Sequence, residues 1–219
     1  MSEASALPES ALELWRFAAR EATTVHIPPD GCRDLVVIVP RHGAPVCLVS
    51  VLSQASEMHA FAPGDRAMGV RLRPGAQIDE RALLALARAR EAWDDDVLLD
   101  AVGAATRLDA RVDEALACLR EAPSLPLAQA RLGVSARSLE RLLSPRTGRG
   151  PLWWRGLARA RRCARGLAGE TPLAALAADH GYADQAHMTR DLQRWFGASP
   201  SRLRAMPTML AALASSGFS

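Results

Sequence analysis

The sequence has no lysine: all 27 of its basic residues are arginine. A GC-rich coding sequence accounts for such usage, so it is not by itself a sign of phosphate contacts. Aromatic residues are scarce at 5%, with a single tyrosine. No uninterrupted run of about 18 apolar residues occurs, which excludes a membrane-spanning helix. Residues 1–10 carry two Glu and no basic cluster ahead of an apolar stretch, the reverse of a secretory signal, so a cytoplasmic protein is expected. Cysteine is limited to Cys32, Cys47, Cys118 and Cys163, none in a Cys-x-x-Cys pair and each among apolar or small residues. That pattern lacks the clustering of a zinc site and the density of a disulfide framework, so buried reduced thiols are expected.

What is present is a chain of 219 residues, 49% apolar and 23% charged, the proportions of a globular protein with one large or two small domains. The net charge of +3 conceals a division. Residues 1–123 hold 13 Arg against 19 Asp and Glu, whereas residues 124–219 hold 14 Arg against 5 acids, a balance of −6 against +9. Two modules are therefore expected, the second facing an anionic partner.

Strand signals fill the first 75 residues. Short apolar, β-branched runs at Leu35–Val39, Val46–Leu52 and Ala67–Leu72 are bounded by Gly and Pro, and Thr23–Ile27 reads the same way. Leu12–Phe17 fits a strand or a helix face equally. Helical spacing begins at Ile78 and runs to about Ala92, then returns over Leu108–Leu119. Pro123 and Pro126 mark a boundary. Beyond it short helices follow: Leu125–Arg131, Ala136–Leu143 ended by Pro145, Leu152–Leu167, a helix opened by Thr171-Pro172 and stopped at Gly181, Asp184–Phe196, and one started by Ser199-Pro200. The division is thus 1–123, with strands to about 75 and helices over about 78–121; 124–206; and a tail, 207–219, with no readable role. The fold class is α+β: a mostly β, barrel-like N-terminal domain with helices, then an all-α domain.

That second domain contains two helix–turn–helix patterns. One spans Leu125–Leu143 with its turn at Leu132-Gly133-Val134-Ser135; the other spans Leu173–Phe196 with its turn at His180-Gly181-Tyr182-Ala183. In such motifs the second helix enters the major groove of DNA. The helix between them, Pro151 to Ala168, has 18 residues, or about 27 Å at 1.5 Å per residue. With its turns it can hold two reading helices one DNA turn apart, about 34 Å.

Residues 171–204 resemble the AraC/XylS family of transcription regulators. The likeness is carried by Gly181-Tyr182-Ala183-Asp184-Gln185, His187, Arg190, Phe196-Gly197, Ser199-Pro200 and Arg204. Val134-Ser135 with Arg137, Leu139 and Arg141 resembles the family's first reading helix, and Arg159 falls on a usual arginine of its connecting helix. Pro29-Asp30-Gly31-Cys32-Arg33-Asp34-Leu35 and Gly69–Gly75 resemble a sensor half found in one branch. Met188 and Leu192 stand where the family often has Phe; Pro145 interrupts the first reading helix; Gly166 replaces a usual Leu, with weaker packing expected there. The resemblance implies a bacterial regulator bound to double-stranded DNA, an N-terminal domain that takes a small-molecule effector or a homodimer partner, no cofactor, no metal and no catalysis.

On this reading Arg137, Glu140 and Arg141 in the first helix, and Gln185, Ala186, Thr189 and Arg190 in the second, face the bases. Arg pairs with guanine, Gln with adenine, Glu with cytosine N4, and the Thr methyl with thymine. Ser135, Arg149, Arg155, Arg194 and Arg202 are assigned to phosphates. Arg159 is expected to pair with Asp179 or Asp184, and His187 and the tryptophans 153, 154 and 195 to pack. His26, His42 and His59 lack a ligand spacing, Asp30 and Asp34 suit turn capping, and Asp94-Asp95-Asp96 suits a solvated cap. The alternative function is a DNA-targeted enzyme, a Cys-dependent alkyl-transfer repair protein using Cys32 or Cys163. A non-specific nucleoid binder is disfavoured by the outward Gln and Thr.

Overall fold

The computed structural model describes residues 6–89 and 93–219. The last residues of the helix expected to reach Ala92, and the first half of the opening segment, lie outside them. The chain divides into two compact units. One comprises 1–24, 32–52 and 60–110; the other comprises 25–31, 53–59 and 111–219.

The first unit is built on a four-stranded antiparallel sheet. Its order is β1 (Ala11–Ala18), β6 (Arg66–Leu72), β3 (Asp34–Val39), β4 (Val46–Val49). Leu12–Phe17 is therefore strand, because Trp15 lies across from Gly69 in the β1–β6 register. A Cβ at Gly69 would stand 2.7 Å from the Trp15 ring and 2.4 Å from the Leu35 carbonyl, so only glycine lets the ring lie there. Two further pairs, β2 (Thr23–Ile27) with β5 (Glu57–Phe61) and β7 (Gln77–Ile78) with β8 (Thr106–Arg107), are separate two-stranded sheets. The described strands form open sheets with free edges, so the barrel-like expectation gives way to an open sheet. Strand β5 has no apolar alternation and an almost wholly exposed pattern, which hid it in the sequence.

Helix α1 (Glu80–Arg88) starts later than Ile78, because Ile78 pairs in β7 and Asp79 caps the helix by accepting from the Ala82 amide. Asp94 likewise caps α2 (Asp95–Ala105), so the acidic run opens a helix the sequence reading lacked. Leu35, Val37, Val70 and Leu72 from the sheet, Leu83 from α1 and Leu98 and Val102 from α2 share one core. Asp34 is not a turn cap. It begins β3 and accepts from Trp15 Nε1 at 3.0 Å and Arg71 Nε at 3.2 Å, while Arg33 reaches the Ser50 carbonyl and Glu80.

The second unit gathers α3 (Ala110–Glu121), α4 (Leu125–Leu132), α5 (Ala136–Thr147), α6 (Pro151–Gly166), α7 (Leu173–Asp179), α8 (Gln185–Phe196), α9 (Pro200–Arg204) and α10 (Pro207–Ala214). Arg155 and Arg162 on α6 donate to the carbonyls of Pro123 and Arg120, which ties α3 and the Pro123 turn to the helical unit. Leu139, Leu143, Trp154, Leu157, Met188, Leu192, Trp195 and Phe196 are buried.

Helix α5 does not end before Pro145 but continues to Thr147. Proline removes the amide that would bond the Arg141 carbonyl. The Arg146 guanidinium supplies donors instead, to the Arg141 carbonyl at 3.4 Å and the Leu142 carbonyl at 3.2 Å. The residue that opens α7 is Pro172, not Thr171, since the Pro172 carbonyl takes the first helical bond, from Leu176. Gly166 does not weaken packing: a Cβ there would lie 2.6 Å from Leu176 Cδ1, so the missing side chain is the space Leu176 fills. The tail from Pro207 is α10, with Met209 and Leu213 buried.

Candidate nucleic-acid interface

The two helix–turn–helix units are built alike. Each first helix ends in a glycine with left-handed backbone, Gly133 at φ +64° and Gly181 at φ +68°. In each, the amide after the glycine bonds back five residues, Val134 to the Gln129 carbonyl at 3.1 Å and Tyr182 to the Ala177 carbonyl at 2.9 Å. This six-to-one closure satisfies carbonyls left open at a helix end. A capped second helix follows, α5 with Ser135 accepting from Ser138 N and α8 with Asp184 accepting from His187 N. Nothing lies within 4 Å of a Cβ placed on Gly181. Gly181→Val is therefore expected to lose about 1–2 kcal/mol from backbone strain alone, and Gly181→Asn to regain most of it, as read by thermal melting.

Buried Leu139 and Leu143 fix α5, and buried Met188, Leu192, Trp195 and Phe196 fix α8. The opposite faces are exposed. Arg137, Glu140 and Arg141 project from α5, and Gln185, Ala186 and Arg190 from α8. The side chains of Arg137, Arg141, Gln185 and Arg190 make no bond among the described residues. Thr189 is half-buried, and its hydroxyl donates to the Gln185 carbonyl at 2.9 Å. Glu140 accepts from Ser144 Oγ, and its carboxylate lies where a Cβ on Gly150 would meet it at 2.9 Å. It is thereby drawn to the start of α6, where an anion is favoured by the helix dipole.

Helix α6 has 16 residues rather than 18, about 24 Å. Its Arg159 pairs with Asp191, not with Asp179 or Asp184: Nη2 stands 2.8 Å from Asp191 Oδ2. Tyr182 Oη donates to the same oxygen at 3.0 Å, and the Arg159 guanidinium lies 4.3 Å from the Tyr182 ring centre. Burial first, and the Asp191 charge second, push the Tyr182 phenol up, so it stays a donor. This triad locks the turn, α6 and the inner side of α8 together. Asp191 was missed in the sequence because α8 offers several charges and spacing does not say which one turns inward.

The arginines assigned to phosphates divide. Arg202 is exposed, and Arg194 stacks 4.7 Å over Trp195 while remaining exposed. Arg149 is half-buried, 5.5 Å from the Trp153 ring. Arg155 is instead committed to the Pro123 carbonyl. The Ser135 hydroxyl caps α5 and also meets Ser138 Oγ at 3.0 Å. Trp154 and Trp195 are buried and Trp153 half-buried, edge-on to both. His187 packs edge-on to Tyr182. Arg204 ties α9 to the carbonyls of Leu167 and Thr171. Among the described residues no three His, Cys, Asp or Glu side chains assemble as a metal site.

Two capped helix–turn–helix units thus share one connecting helix, α6. Residues 129–206 match the family model described as a helix-turn-helix domain. Similar solved structures include the C-terminal domain of AraT, a response regulator from Geobacillus stearothermophilus, at 23% identity over 45% of this chain and 87% of that one, with a TM-score of 0.42. The DNA-binding domain of AdpA, a global transcriptional factor solved with a target DNA, is 27% identical over 44% and 87%, with a TM-score of 0.38. ToxT from Vibrio cholerae O395 is 8% identical over 93% of this chain and 97% of its own, with a TM-score of 0.46. Among curated proteins none matches the chain.

Proposed function

We propose that the protein is a sequence-specific transcription regulator that reads two adjacent major-groove segments of double-stranded DNA with α5 and α8. One observation carries this: two matching motifs on one connecting helix each present polar side chains that the protein itself leaves unused. Arg137 and Arg141 read from α5, and Gln185 and Arg190 from α8, with Ala186 and the Thr189 methyl beside them. Arg149, Arg194, Arg202 and the exposed end of α5 at Ser135 hold phosphates. The functional boundary lies at the Pro123 turn, and 124–206 is the reader. The site of action is the cytoplasm, where a bacterial chromosome lies.

The N-terminal unit regulates the reader, by binding a small molecule or by pairing with a second copy. A cleft of about 460 Å³ supports the former. It is lined by Arg16, Phe17, Val39, Arg66, Met68 and Trp93. That size lies within the range of ligand pockets, about 300–1,000 Å³.

The alkyl-transfer reading is weaker. That chemistry needs a thiolate, which requires a lowered pKa and access. Cys163 is fully buried, and its thiol is pushed up to about 12, chiefly by burial and then by Asp191. Cys32 is buried as well.

Arg190→Ala is expected to cost about 1–3 kcal/mol and to relax preference at one base position. Binding to a library of DNA variants checks this. A uniform loss over all sequences would assign Arg190 to a phosphate.

A further inference from the structure

Two stretches of the second unit, far apart in sequence, close on one point of α6. Arg161, in the middle of that helix, is 0% exposed. Its Nη1 donates to the Pro29 carbonyl at 3.1 Å, and its Nη2 to the Leu213 and Ser215 carbonyls at 3.2 and 3.0 Å. Arg165, one turn on, donates to the same two carbonyls at 3.1 and 3.2 Å. Both guanidiniums thus serve the C-terminal end of α10, where carbonyls lack helical partners.

The chain end then turns back to the N-terminal stretch. The Phe218 amide donates to the Asp30 carbonyl at 2.7 Å, and the Phe218 ring meets Trp154 of α6 edge-on at 4.9 Å. Gly31 sits beneath them with φ +76°, and a Cβ there would stand 2.8 Å from Phe218 Cβ and 2.9 Å from the Trp154 ring. Gly217 is equally confined: a Cβ there would stand 2.9 Å from the Asp30 carbonyl.

A simple core would use apolar side chains here. Beside the Phe218–Trp154 contact, the join is made of main-chain carbonyls held by the Arg161 and Arg165 guanidiniums, a network whose bonds strengthen one another. Residues 25–31 belong to the helical unit, yet they are covalently flanked by Thr24 and Cys32 of the sheet unit. Any change in how the sheet holds those flanks acts on Pro29 and Gly31. Those residues grip α6, and α6 carries α5 and α8 against its sides.

We propose that Pro29–Gly31 and the C-terminal segment 207–219 form a latch on α6 through which the state of the N-terminal unit is passed to the two reading helices. This rests on the DNA-reading proposal. Coupling of this kind is reciprocal, so DNA bound at α5 and α8 must also act on the sheet, and tightening is the direction expected here.

The test is amide hydrogen exchange on the full chain, with and without a duplex recovered by selection from a random-sequence pool. In the wild type, bound duplex slows exchange over residues 34–39 by about 5-fold or more. In Phe218→Ala the duplex still binds, but that slowing is lost. Arg165→Gln, which leaves the aromatic contact in place, gives the same loss if Phe218→Ala fails to fold. Slowing at 34–39 of equal size in wild type and variants overturns the latch, as does no slowing in a wild type that binds. A wild type that binds no duplex removes the DNA-reading proposal and the latch with it.

Discussion

Asp191→Ala is expected to lower stability by about 2–3 kcal/mol and to weaken binding to all DNA sequences alike. The carboxylate accepts from Arg159 and from Tyr182, and its side chain is only 10% exposed against 18% for Arg159. Removing it leaves a largely buried guanidinium and a buried phenol without their acceptor. Breaking a fully buried ion pair costs about 3–5 kcal/mol; the residual exposure of Arg159 brings the figure below that. For a chain of this length the loss corresponds to a melting point lower by about 5–10 °C. Asp191→Asn keeps an acceptor without the charge and should fall between. The DNA effect separates this residue from Arg190, since α8 is loosened as a whole rather than deprived of one base contact. A melting point unchanged in Asp191→Ala would contradict the triad.

Gly31→Val is expected to cost about 3 kcal/mol or more, from two separate sources. Its φ of +76° puts any L side chain in the left-handed region, at about 1–2 kcal/mol. Overpacking against Phe218 and Trp154 adds about 1–3 kcal/mol. Gly181 isolates the first source, because it shares the backbone conformation and has open space around it. Thermal melts of Gly31→Ala and Gly181→Ala should therefore differ, the former losing more. Equal losses would mean that the packing around Gly31 gives way without cost.

The reader half was legible because its signals are local. Gly133 and Gly181 mark turns, Ser135, Asp184 and Ser199 mark helix starts, and Leu139, Met188 and Leu192 recur at helical spacing. Outward positions follow once the inward ones are set, which is why Arg137, Arg141, Gln185 and Arg190 emerged on exposed faces. What was not legible depends on partners distant in sequence. Arg159 offered several acids and chose Asp191. Arg155 resembled a free surface cation until Pro123 came beside it. Pro145 looked like a stop because the compensating Arg146 guanidinium is a side-chain effect that backbone propensity ignores. Arg161 gave no sign that it is buried, since its acceptors are main-chain carbonyls at Pro29, Leu213 and Ser215, and any residue supplies those. Strand β5 lacks apolar alternation, and α2, whose cap at Asp94 was expected, is buried on most of its sides and so shows no single helix face.

The central claim is that one chain reads two adjacent major-groove segments. Hydroxyl-radical and methylation footprinting of the purified protein on fragments selected from genomic DNA tests it most directly. Two protected major-groove faces about one helical turn apart, about 34 Å, with protection weakened at the second by Arg190→Ala and at the first by Arg137→Ala, is the outcome this account predicts. Protection of a single groove segment, or diffuse protection that tracks only salt and not sequence, would contradict it.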